Sequence, residues 1–179
     1  VNSSPAVFDN VKLKWMNSVY LRAMDHQELW KLLQPFLKKD DQTFDGVTPA
    51  WIDNAVCALK TSFETLADAV PVFRPLSDGH FVLGLEAQEV LAWPTTKPVV
   101  NKWYELLEAQ KSENISEAEF QEIQRKIQNE CGVKGKEFIQ AMRVAILGKP
   151  HGTELKLLVP LLTLKSLMAR AQTTLKGCK

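Results

Sequence analysis

Arg143 and the run Gly148-Lys149-Pro150-His151-Gly152-Thr153-Glu154-Leu155 are the residues of this chain best suited to chemistry. Arginine carries a planar fork of N–H donors that matches the acceptors of an anionic polymer. The first-turn N–H groups of a helix have no intrahelical partner and attract the same kind of acceptor. An apolar helix running through Met142-Arg143-Val144-Ala145-Ile146-Leu147 ends at Gly148, because glycine takes the left-handed position cheaply and Pro150 cannot continue the helix. A second helix is expected to open at Thr153-Glu154, so both kinds of donor would meet at one junction. Each residue also has a plainer role open to it. Arg143 would complement the helix dipole, worth roughly 0.3–1 kcal/mol; Thr153 would cap the next helix; Leu155 would be core. His151, taken alone, reads as a solvated or capping residue.

Bond-making chemistry finds no such constellation. His26, His80 and His151 lie in separate segments, and none adjoins a cysteine at metal-ligand spacing. There is no glycine-rich phosphate loop, no G-x-S-x-G elbow and no paired Cys/His signature. Asp40-Asp41 and Asp45 read as a solvated turn. The residues taken alone describe a binding module.

Composition agrees with a globular chain: 179 residues, 45% hydrophobic and 24% charged. The odd, unpaired set Cys57, Cys131 and Cys178 points to free thiols in a reducing compartment, hence the cytoplasm. No apolar run reaches the roughly 18 residues of a membrane span, so no membrane is expected as a partner. A net charge of +1 argues against a protein that grips duplex through phosphates, and no DNA partner is expected. Lys and Arg nevertheless gather around residues 12–39 and 134–179, with acids around 105–130, which leaves room for a one-sided basic face.

The elements that must position Arg143 and its turn are helical. Val11, Trp15, Val19 and Arg22 fall at helical spacing behind Asp9 as N-cap, with a possible break at Asn17-Ser18. Asp25-His26-Gln27-Glu28 is a capping-box pattern leading Leu29, Leu32, Leu33, Phe36 and Leu37, with Pro35 as a kink or stop. Thr48-Pro49 opens a helix with Ile52, Val56, Leu59 and Phe63 on one stripe and Ala55, Ala58 and Ser62 as a small-residue flank. Between Leu66 and Gly84 the pattern dissolves into turns, which marks the joint between two lobes. Glu86 to Trp93 is a short turn or two, and Pro98 starts a helix with Val99, Trp103, Leu106 and Leu107. Ser116 to Glu119 is a second capping box before a helix ending at Cys131-Gly132. Lys134 to Leu147 is almost wholly buried by pattern, with Lys136, Gln140 and Arg143 as its polar stripe, and Pro160 should bend or split Leu155 to Leu175 near Leu161. No alternating strand pattern appears, so the expected fold class is all-α, in two small helical lobes.

Two blocks of these residues resemble a known family. Ser4-Pro5-Ala6-Val7-Phe8-Asp9 with Lys12-Leu13-Lys14-Trp15-Met16-Asn17 and Tyr20-Leu21 resembles the segment after the catalytic domain of bacterial-type glutamyl-tRNA synthetases. Gly135-Lys136-Glu137-Phe138, Met142 to Gly148 and His151 to Leu155 are similar to that family's last anticodon-binding lobe. The middle, about 68–94, matches only loosely. The resemblance implies the end of the stem-contact region over 1–24, a first anticodon-binding lobe over 25–84 and a second over 85–179. The H-I-G-H-like and K-M-S-K-S-like catalytic loops would lie before Val1, as would the ATP and Mg²⁺ sites, so this piece would hold no cofactor, no metal and no catalytic residue. It would bind tRNA as a monomer and leave the joining of glutamate to its parent.

By position, the resemblance places Arg143, Gly152, Thr153 and Leu155 against unstacked anticodon bases. Such loops are read through base edges, guanidinium stacking and backbone groups. It also aligns Ser62 with a site where members strict for tRNA(Glu) can carry an arginine that senses the third anticodon base. One bidentate arginine discriminates bases by ~1–3 kcal/mol, so its absence implies a permissive protein that also accepts tRNA(Gln). Ser62 as an ordinary small helix residue is the plainer reading. The competing class is an α-helical protein-interaction module anchored by Trp15, Trp30, Trp51, Trp93 and Trp103, although aromatics at helical spacing are usually core.

Overall fold

The computed structural model describes residues 9–179, and among them it is all-α, with no strand beyond one isolated bridge between Asn114 and Thr163. The run Ser4-Pro5-Ala6-Val7-Phe8, which carries part of the family resemblance, lies outside the described residues. The chain forms two compact units, the first ending at Arg74 and the second spanning Pro75–Lys179.

In the first unit, α1 (Asn10–Ala23) starts where the Asp9 carboxylate accepts from the Val11 and Lys12 N–H groups at 3.0 and 3.1 Å. It is unbroken at Asn17-Ser18, because the Ser18 hydroxyl donates to the Trp15 carbonyl at 2.7 Å and competes for no backbone N–H. Its inward residues are Ser18 and Leu21, while Val11, Trp15 and Tyr20 are 78%, 62% and 68% exposed. The apolar spacing therefore marks a helix whose broad apolar face is exposed in this chain.

Helix α2 (His26–Lys39) is capped by Asp25, which accepts from Gln27 and Glu28. It continues through Pro35, which sits on the exposed side where the carbonyl left without a donor can meet water. Helix α3 (Pro49–Leu59) starts as its sequence demands, with Thr48 accepting from Trp51 N–H at 3.1 Å and proline at N1. It ends before Phe63, which is buried beyond a 3₁₀ turn at Lys60–Ser62. Helix α4 (Ala69–Phe73) completes the unit. Trp30 is its centre, with ring centroids 5.5 Å from Phe44 and 5.8 Å from both Trp51 and Phe73. Such edge-on and tilted aromatic pairs add to the gain from burial itself.

In the second unit, α5 (Ala87–Leu91), α6 (Thr96–Glu108), α7 (Glu117–Cys131), α8 (Gly135–Leu147), α9 (Leu155–Leu158) and α10 (Leu164–Gly177) follow in order. Helix α6 packs against α7, α8 and α10 and buries Val99, Trp103 and Leu107 completely. It opens two residues before Pro98, held by the Thr96 hydroxyl donating to the Val90 carbonyl at 2.5 Å. The Ser116 capping box is complete: Glu119 accepts from Ser116 N–H at 2.8 Å and Glu119 N–H donates to the Ser116 hydroxyl at 3.3 Å. Pro160 splits the last stretch, leaving a 3₁₀ turn at Val159–Leu161 between α9 and α10.

Residues 75–84, assigned from sequence to the first lobe, belong to the second unit. The cause is polar. Arg170 of α10 donates to the Pro75 carbonyl and to Asp78, and Gly84 N–H donates to the Gly148 carbonyl at 3.0 Å. The three cysteines are free thiols.

Candidate nucleic-acid interface

The site is built on the end of α8. Phe138, Ala141, Met142, Val144, Ala145 and Ile146 are buried at helical spacing, which fixes the rotation of the helix and leaves Arg143 half-buried on its open edge. Ile139 departs from the expected burial and is 50% exposed beside it. The helix stops at Gly148, φ 75°, whose N–H closes on the Val144 carbonyl. A Cβ there would stand 2.0 Å from the Val82 carbonyl oxygen, so this glycine is required by space as well as by backbone angle.

After Gly148 the chain turns outward. Lys149, His151 and Gly152 are exposed, and Gly152 holds φ 131°. Arg143 reaches the turn: its Nη1 donates to the Gly152 carbonyl at 2.8 Å. One arm of the fork is thus anchored, and the rest of its five N–H donors remain for a ligand. A shallow depression of about 220 Å³ lies beside it, lined by Phe120, Gln124, Ile139, Arg143, Glu154, Leu155 and Lys156. Lys156 is occupied by Glu154 at 3.0 Å, a contact that raises its pKa, while His151 Nε2 lies 2.5 Å from the Glu86 carboxylate.

Two expectations change here. The helix after the turn begins at Leu155, not Thr153, and Glu154 occupies the N-cap position without a side-chain bond. Thr153 is half-buried one residue ahead of that cap and does not serve as one. With Pro160 ending it after four residues, α9 has little dipole, so the donors of this site are the Arg143 fork and the turn itself. Leu155 is 8% exposed and forms part of the floor. Arg143, Gly152, Thr153 and Leu155 thus come together in one place. Ser62 lies in the other unit, exposed at the end of the 3₁₀ turn Lys60–Ser62.

The family model for the anticodon binding domain matches residues 28–175. The chain belongs to this anticodon-binding domain family. A glutamate–tRNA ligase of Bdellovibrio bacteriovorus is 44% identical over 175 residues, which cover 98% of this chain and 36% of that protein. A glutamate–tRNA ligase of Staphylococcus saprophyticus is 30% identical over 158 residues, 87% of this chain and 32% of that protein. A solved glutamate tRNA ligase from Elizabethkingia meningosepticum matches with a TM-score of 0.78 at 17% identity, over 100% of this chain and 34% of that one, which shows a shared fold. The chain spans about a third of the length of the curated relatives it matches.

Sequence reasoning passed over Arg170, the buried arginine of α10, at 3% exposure. Its Nη1 donates to the Pro75 and Ile146 carbonyls at 2.8 and 2.9 Å, its Nη2 to Asp78 at 2.8 Å, and its guanidinium lies 5.3 Å from the Phe81 ring centroid. Burial pulls its pKa down while Asp78 opposes that pull. The available signal was an arginine set among Leu167, Ala171 and Thr174, all on the buried stripe of one helix.

Proposed function

We propose that this domain binds the anticodon loop of tRNA(Glu) as part of a cytoplasmic, monomeric glutamate–tRNA ligase, whose full length joins glutamate to tRNA with ATP. The observation that carries this reading is the Arg143 fork, fixed by one bond to the exposed Gly152 turn in a domain of the anticodon-binding family. Holding the guanidinium in place beforehand reduces the entropy lost when a base edge or base face arrives. Gly152 and Thr153 bring the backbone of the turn near the same ligand, and Leu155 closes the floor beneath it. No DNA or membrane enters this reading.

ATP and Mg²⁺ belong in this reading to the full-length ligase. Among the described residues no group of three or more His, Cys, Asp or Glu could hold a metal ion, and no step of this reading runs through either group.

The domain also accepts tRNA(Gln) in this reading, because the exposed, neutral Ser62 offers no fork to reject the differing third anticodon base. Separate titrations of the two tRNA transcripts at fixed salt test both parts. Binding to each within threefold is the expected result. A preference of tenfold or more for tRNA(Glu) would overturn the permissive part, and no binding of either would overturn the whole. Ser62→Arg, placed on an exposed turn, should restore strictness by weakening tRNA(Gln) alone.

A further inference from the structure

We infer that Arg170 is a positioning residue for the RNA-reading turn, acting through the buried bonds that hold the end of α8 against residues 75–84. It rests on the anticodon-binding reading above and adds a residue that touches no ligand.

The geometry is unusual for a charge. An arginine at 3% exposure has lost its hydration, yet its ion-pair partner among the described residues, Asp78, is 67% exposed and itself shared with the Ser166 hydroxyl. A structural ion pair alone would sit as well at the surface, where desolvation costs less. What burial secures is reach. From inside the unit, one guanidinium binds the carbonyl of Ile146, in the last turn of α8, and that of Pro75, at the start of the neighbouring segment. Ile146 O is among the terminal carbonyls that lack an intrahelical donor. Arg170 therefore satisfies an orphan acceptor two residues before Gly148 and ties it to residues 75–78.

The same segment meets the turn again further on. Phe81 lies over the guanidinium, the Val82 carbonyl fills the space a Cβ on Gly148 would need, and Gly84 N–H donates to the Gly148 carbonyl. The exit of α8 is thus fixed from two sides, by Arg170 within and by residues 82–84 alongside. Arg143 lies three residues upstream of Ile146 on that helix and bonds Gly152 beyond the exit. If the exit shifts, the anchor carbonyl shifts relative to the guanidinium. A buried residue with no access to RNA then governs how the fork is presented.

The test is a double-mutant cycle read by tRNA(Glu) transcript affinity, with circular dichroism confirming the fold at the assay temperature. Arg170→Met keeps the volume and removes the donors; it should weaken binding fivefold or more in the Arg143 background and less than twofold once Arg143→Ala is present. Asp78→Asn is the gentler variant, removing the charge that fixes the guanidinium while leaving Arg170 in place. It should weaken binding two- to threefold with the same dependence on Arg143, and it carries the test if Arg170→Met does not fold. Unchanged affinity in a folded variant would overturn the inference, as would an equal loss with and without Arg143. Failure of the unsubstituted chain to bind would instead overturn the functional reading beneath it.

Discussion

Arg143 holds its turn through a single carbonyl, and that modest attachment separates two contributions that are usually merged. A cation near RNA adds affinity through phosphates without regard to sequence, whereas a planar fork reads a base. Arg143→Lys keeps the first and loses the second. It should leave affinity for tRNA(Glu) within about threefold while relaxing the penalty for an exchanged anticodon; Arg143→Ala should cost both, about tenfold in affinity, or 1.4 kcal/mol. Filter binding with native and anticodon-exchanged transcripts checks this, and an unchanged anticodon penalty in both variants would remove Arg143 from the site. Much at this scale was readable from sequence, because Arg143, Gly148 and Pro150 are neighbours whose meanings are local. Arg170 was not. Its four partners come from residues 75–81 and 146, and no spacing rule links them.

Capping chemistry made helix starts and stops readable, since a cap is written within four residues. Asp9, Asp25, Thr48 and Ser116 all accept from first-turn N–H groups, and Gly132 and Gly148 both end helices in the left-handed region. Packing is what spacing could not reveal. Gly132 has nothing within 4 Å of its missing Cβ, whereas Gly148 has the Val82 backbone. Gly132→Ala should therefore cost about 1 kcal/mol, the left-handed penalty alone, and Gly148→Ala distinctly more, with the two compared by urea denaturation. Equal costs would mean that residues 82–84 yield easily.

The Ser116 box adds a pH signature. Its hydroxyl and N–H hold the Glu119 carboxyl below the usual range, so the box stabilises above the ordinary glutamate pKa and loses that contribution as pH falls through the depressed value. Ser116→Ala should lower Tm by about 2–4 °C at pH 7. The gap should shrink near pH 3; a constant gap would show that Glu119 plays no part.

At the scale of the molecule, a formal charge of +1 means that affinity for RNA rests on local placement and not on overall attraction. Binding should fall with added salt, with a slope counting only a few phosphates. An apolar protein partner would show almost no such slope, which separates the two functional classes raised by the sequence. Of the five tryptophans offered as partner anchors, Trp30 and Trp103 are core. Trp15 is not: it stands 62% exposed on α1.

Helix α1 leaves Val11, Trp15, Val19 and Tyr20 exposed in this chain, a contiguous run of apolar surface. In handling, the isolated chain should behave as a colloid more than its polar composition implies. It should enhance the emission of a hydrophobic dye while fully folded, and it should precipitate at modest concentrations of polyethylene glycol. Trp15→Glu with Tyr20→Lys should raise that precipitation threshold with little change in Tm, because neither side chain is buried.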